Sequence, residues 1–258
     1  MNTQFNHVQQ GLFFVEDTIL TSLTHTAFIF PFQKIIDTLA LTVQGYHQDG
    51  DVTIFTCSLN AAKEMLAGTP YALHKIKKFL PLVTPKHQKQ LLRAYHWANW
   101  NKQSKYCGQC AEPLIVKFDV TEKKCAKCNL SFFPRFSPAV MVLVQREDKI
   151  LLARSHHFPS GDYSALAGFV DVGETAEEAA YREVKEEVGI TIKNLRYFST
   201  QTWPFPDSFM IAFTADYESG EIKIDNLELE DARWFFKKEV PRLTPSISIS
   251  RQLIQSVL

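Results

Sequence analysis

The 258-residue sequence has no net charge, since 28 Lys and Arg balance 28 Asp and Glu. The chain as a whole therefore gives no electrostatic reason to expect a nucleic-acid or membrane partner. It also lacks any apolar run near the roughly 18 residues that a membrane-spanning helix needs. Its first ten residues, MNTQFNHVQQ, have neither the basic segment nor the apolar run of a secretory leader. A cytoplasmic protein with no membrane partner is the expectation. No internal repeat and no low-complexity tract interrupts the chain. Cysteine is scarce at five residues, and four of these fall in two tight pairs. That distribution fits metal binding in a reducing compartment better than a disulfide framework.

What is present is ordinary for a globular chain, with 45% apolar and 22% charged residues. Twenty phenylalanines imply well-filled cores. The length allows two domains, or one with additions. The pattern gives an α+β chain in three parts: a β-rich N-terminal domain with a helical connector over 1–105, a cysteine segment over 106–134, and an α/β part over 135–258. In the first part, Ala40–Val43 and Val52–Thr56 alternate around the turn at Gln48–Asp51, and a helical stretch follows from about 60 to 105. Between 61 and 106 lie nine Lys and Arg against one acid, Glu64. A solvated helix surface explains them, and a docking face for a polyanion is the sharper alternative. In the last part a hairpin (140–144, 150–153), strands near 165–170, 195–201, 209–217 and 221–224, and a helix over 247–257 are expected.

Cys107-Gly-Gln-Cys110 and Cys125-Ala-Lys-Cys128 are separated by fourteen residues. Two such knuckles can bring four thiolates together tetrahedrally on one Zn²⁺ and leave no open position, so the site is read as structural. Gly108 is expected to supply the positive φ of the first knuckle. Cys57 stands alone in an expected strand and reads as a buried core thiol.

The stretch Gly168–Ile190, GFVDVGETAEEAAYREVKEEVGI, reads as a helix with both ends marked. Thr175 and Glu178 form a capping box, and Gly189 ends the helix. Glu183, Glu186 and Glu187 stand at i, i+3 and i+4 and share a face, with Arg182 one turn from Glu178 and from Glu186. Glutamates on a helix are commonly only solvated. Clustered carboxylates also serve hard divalent cations beside phosphates.

The spacing from Gly168 through Glu174, Arg182, Glu183, Glu186, Glu187 and Gly189 resembles the Nudix box of the Nudix hydrolase superfamily. The resemblance implies an α/β/α sandwich with the box as loop-helix-loop. It implies Glu183, Glu186 and Glu187 as carboxylates for Mg²⁺ or Mn²⁺, Ala167 beside the metal, Glu174 fixing the loop, and Arg182 orienting the carboxylates. Three further features resemble the NADH pyrophosphatase subfamily: the cysteine ribbon, the extra N-terminal domain, and Thr200-Gln-Thr-Trp-Pro-Phe-Pro-Asp-Ser208. The last departs from the subfamily pattern at Thr200 and Thr202. This resemblance implies hydrolysis of the NAD(H) pyrophosphate to NMN(H) and AMP, removal of NAD caps from RNA 5′ ends, and a homodimer. It further implies Glu228 as a metal carboxylate. Substrate contacts would come from Phe133, Phe169, Gln201, Thr202, Trp203, Pro204, Phe205, Pro206, Asp207, Ser208 and Ser250. Two alternatives stay open: a pyrophosphohydrolase of ADP-ribose or another dinucleotide, and a non-catalytic ligand- or RNA-binding protein.

Overall fold

The computed structural model describes residues 9–25, 27–39, 41–59, 66–117, 121–243 and 247–258. The chain divides into two compact units, Met1–Arg135 and Phe136–Leu258. Lys63 and the start of the expected 60–105 helical stretch fall outside the described residues.

The first unit contains β1 (Gln10–Val15), β2 (Thr18–Ser22), β3 (Ile29–Pro31), α1 (Phe32–Leu39), β4 (Leu41–Asp49), β5 (Val52–Leu59), β6 (Tyr71–Lys75), α2 (Ile76–Phe79), α3 (Pro85–Gln103), β7 (Leu114–Lys117), β8 (Glu122–Cys125) and β9 (Ser131–Phe132). Its large sheet runs β4-β5-β1-β2-β6, with β3 also on β1. Phe13, Phe32 and Phe55 stack within 6.2 Å of one another in the core, which accounts for part of the phenylalanine excess. The expected helical stretch needs correction: Tyr71–Lys75 is a strand paired with β2. The long helix starts only at Pro85, where a missing N–H costs nothing. Cys57 is a buried free thiol, as expected.

The second unit contains β10 (Ser137–Arg146), β11 (Lys149–Ser155), β12 (Asp162–Tyr163), β13 (Leu166–Phe169), α4 (Ala176–Val188), β14 (Thr191–Trp203), β15 (Ser208–Ser219), β16 (Leu229–Phe236), β17 (Arg242–Leu243) and α5 (Ile249–Gln255). Its mixed sheet runs β14-β15-β10-β11-β16, with β13 also on β10. Strand β10 shows why two helix layers form. Val140, Val142 and Val144 point to the α4 side, where Ala179, Ala180, Val184 and Val188 pack. Ala139, Met141 and Leu143 point to the other side, against Ile249, Leu253 and Ile254 of α5. A strand buried on both faces reads as a continuous apolar run. The result is the expected α/β/α sandwich.

Two further corrections concern strands. Residues 221–224 are not paired in a sheet; Ile222 and Ile224 pack on the α4-side core while the Lys223 N–H bonds Val188 O at 2.9 Å. Strand β16, paired along β11, was not anticipated. Among the described residues no helix is long and apolar enough to cross a membrane.

Candidate metal centres and active site

Helix α4 is capped as its sequence requires. The Thr175 hydroxyl accepts from Glu178 N at 3.1 Å, and Glu178 Oε2 accepts from Thr175 N at 2.8 Å. Gly189 closes the helix at φ 73°. Its buried residues are Ala179, Ala180, Glu183, Val184, Glu187 and Val188, a stripe at helical spacing. Two glutamates thus occupy core-facing positions, with Glu183 8% and Glu187 5% exposed. Glu186 lies one position around the helix, and its side chain is 61% exposed.

Carboxylate oxygens of Glu183, Glu187 and Glu228 lie within 4.8 Å of one another. Glu228 arrives from a turn built by Asp225, whose carboxylate accepts from Leu227 N at 2.8 Å and whose own N–H bonds Glu187 O at 2.9 Å. His156 Nε2 donates to Asn226 O of the same turn at 3.1 Å. Burial first, then the charges of Glu183 and Glu228, push Glu187 up to about 8, against the Ala167 N–H that bonds it. Glu183 is raised too, chiefly by burial. Glu187 Oε2 is buried without a hydrogen-bond partner. Three converging carboxylates, one with an orphaned oxygen, fit a hard divalent cation, which supplies the missing partner and the missing charge.

Arg182 holds the rest of the box. It donates to Glu174 through Nε and Nη2 at 2.6 and 2.8 Å, to Glu183 and Glu186 through Nη1 at 2.9 and 3.0 Å, and to Phe169 O at 2.9 Å. Its hydrogen bonds pull Glu174 down to about 2. Gly168 is where the strand touches the helix, since a Cβ there would lie 1.9 Å from the Glu183 carboxyl carbon. Beside these groups is a cavity of about 470 Å³, lined by Glu187, Glu228 and Ala167 and by His156, His157 and Ser164. The last three were not singled out in the sequence; the paired histidines after a strand were the available signal.

The segment 201–208 is a hairpin end rather than a free loop. Trp203 closes β14 opposite Ser208, and the Phe205–Pro206 bond is cis. Trp203 and Phe205 meet edge to face at 5.2 Å, while Thr202 and Pro206 are exposed and Pro204 is buried. The polar residues are engaged within the protein. Gln201 bonds Ile247 O and Ile249 N at 2.9 and 2.8 Å. Asp207 accepts from the Ser137 hydroxyl at 3.0 Å, and Ser208 is buried. Ser250 is 2% exposed, whereas Phe169 is 53% exposed.

In the first unit, Cys107, Cys110, Cys125 and Cys128 bring their sulfurs within 4.8 Å of one another, and all four are free thiols. The two knuckles repeat one backbone pattern. Cys107 N bonds Glu112 O and Ala111 N bonds Cys107 O; Cys125 N bonds Leu130 O and Asn129 N bonds Cys125 O. Positive φ falls on Ala111 (60°) and Asn129 (58°), not on Gly108 as expected, because the chain reverses after the second cysteine of each knuckle. Four thiols in this arrangement fit a tetrahedral metal. Phe133 belongs to the same unit and is 60% exposed.

The NUDIX domain family model matches residues 135–257. Among curated proteins, the NAD-capped RNA hydrolase NudC of Chromobacterium violaceum is 52% identical over 151 residues, which cover 58% of this chain and 57% of that protein. The NAD-capped RNA hydrolase NudC of Pseudomonas syringae pv. syringae is 48% identical over 161 residues, covering 62% and 58% respectively. That of Salmonella heidelberg is 43% identical over 166 residues, covering 64% and 65%. The chain thus spans less than two thirds of the length of these relatives.

Proposed function

We propose that this chain, which carries a NUDIX domain over residues 135–257, is a metal-dependent hydrolase of the NAD(H) pyrophosphate that also removes NAD caps from RNA. The observation that carries this reading is the convergence of Glu183, Glu187 and Glu228 beside the cavity, with one buried oxygen unpartnered. Mg²⁺ or Mn²⁺ bound there would neutralise the pyrophosphate and lower the pKa of water. Glu183, Glu187 and Glu228 would hold the ion, with Ala167 lining the same cavity. Arg182 fixes Glu183 and keeps Glu186 within reach. Phe169, Trp203, Phe205, Thr202 and Pro206 offer faces for the dinucleotide rings. Pro204, Gln201, Asp207, Ser208 and Ser250 hold that surface in place.

The names of the relatives favour NAD-capped RNA as a substrate. We assign residues 1–105 to the N-terminal domain and connector, 106–134 to a structural Zn²⁺ ribbon, and 135–258 to the hydrolase. The active species is a homodimer in the cytoplasm. The reading is tested by Glu187→Gln. Hydrolysis should fall at least 100-fold while dinucleotide binding persists. Full activity in that variant contradicts the reading.

A further inference from the structure

Two polar side chains on the α5 side of the second unit are spent on one another. The Ser250 and Ser164 hydroxyls are 2.7 Å apart, and the Ser250 hydroxyl also accepts from Ala165 N at 3.3 Å. Ser250 is 2% and Ser164 6% exposed. A hydroxyl offers one donor and two acceptor sites. With two partners and almost no exposed surface, the Ser250 hydroxyl is spent inside the protein. Ser164 is in turn fixed to β11, exchanging both backbone bonds with Ala153 at 2.9 and 3.0 Å.

The same helix is held from the hairpin side. The first N–H groups of a helix have no partner within it. Here Ile249 N is satisfied by Gln201 Oε1 at 2.8 Å, and Gln201 Nε2 donates to Ile247 O at 2.9 Å. Gln201 stands two residues before Trp203. A continuous path therefore runs from the hairpin through Gln201 to the start of α5, through Ser250 to Ser164 and Ala165, and on to Ala167, whose N–H bonds Glu187.

We propose that Gln201, Ser250 and Ser164 form a buried strut that sets the position of the strand beneath Glu187 relative to the hairpin. Ser250 and Gln201 are positioning residues, and neither touches substrate. The idea rests on Glu187 being a metal ligand.

The test uses the full chain and reads Mn²⁺ affinity by the EPR signal of free Mn²⁺, without substrate, alongside kcat and KM for NADH. Ser250→Ala should weaken Mn²⁺ three- to tenfold and lower kcat, with KM within about twofold. Ser164→Ala/Ser250→Ala should be no worse than Ser250→Ala, because the two hydroxyls act as one unit. Gln201→Met should move Mn²⁺ affinity in the same direction, although it lies on the hairpin side. A raised KM at unchanged Mn²⁺ affinity in Ser250→Ala would make Ser250 a substrate contact and overturn the strut, as would additive losses from the two serines. Glu187→Gln separates the premises. If it leaves Mn²⁺ affinity unchanged, the metal-site reading has failed rather than the strut.

Discussion

Burial and the charges of Glu183 and Glu228 hold Glu187 at about 8, above the ordinary carboxylate value of 4.5. Without a metal, the native state therefore keeps a proton that the unfolded chain releases over this range. That contribution is complete below about pH 4.5 and is lost as pH rises towards 8. Urea unfolding with no added divalent ion should show the parent protein losing on the order of a few kcal/mol across this window. Glu187→Gln should not lose it. The same proton competes with the cation, so Mn²⁺ affinity should climb over that interval. Gly168 supplies a second prediction. An added methyl must displace the Glu183 carboxylate, the free end of a side chain, so folding should suffer by only about 1–2 kcal/mol. Hydrolysis by Gly168→Ala should nonetheless drop at least tenfold, measured beside its melting temperature. At this scale, residue types were legible but burial was not fully so. Glu183 and Glu187 continue the apolar stripe of Ala179, Ala180, Val184 and Val188, and that periodicity was present in the sequence. Which polar groups face inward, such as Ser164 or Ser250, depends on packing between distant elements.

Among the elements, α4 was the most legible because its signals are local: a capping box, a stripe and a terminal glycine. Thr175→Ala removes the hydroxyl bonded to Glu178 N, which should cost about 1 kcal/mol. Thermal unfolding should show this as a drop of a few degrees, with little change in kcat. The elements misread were set by tertiary pairing. Tyr71–Lys75 becomes a strand because β2 offers it an edge, and 221–224 stays unpaired while β16 takes the place on β11. The Trp-Pro-Phe-Pro segment closes the hairpin between β14 and β15. Its polar neighbours looked available in sequence, and only the fold reveals that Gln201 and Asp207 are committed to Ile247, Ile249 and Ser137.

For the whole molecule, zero net charge conceals local asymmetry. Of the nine cations between 61 and 106, Arg93 pairs with Asp49 and Lys102 with Asp17, while Lys75, Lys77, Lys78, Lys86, Lys89 and Lys105 are exposed. If this surface meets RNA, charge reversal at Lys75, Lys77 and Lys78 should weaken binding to capped RNA and flatten its salt dependence, with hydrolysis of free NADH retained. The central claim, that the carboxylate site cleaves the NAD(H) pyrophosphate, is tested most directly by one product analysis. NADH, an NAD-capped oligonucleotide and ADP-ribose compete at fixed Mn²⁺, with the Glu187→Gln protein as control. The expected products are NMNH with AMP, and NMN with 5′-monophosphate RNA, both abolished in the control, with ADP-ribose turned over much more slowly. Preferred cleavage of ADP-ribose, or products that persist in Glu187→Gln, would contradict it.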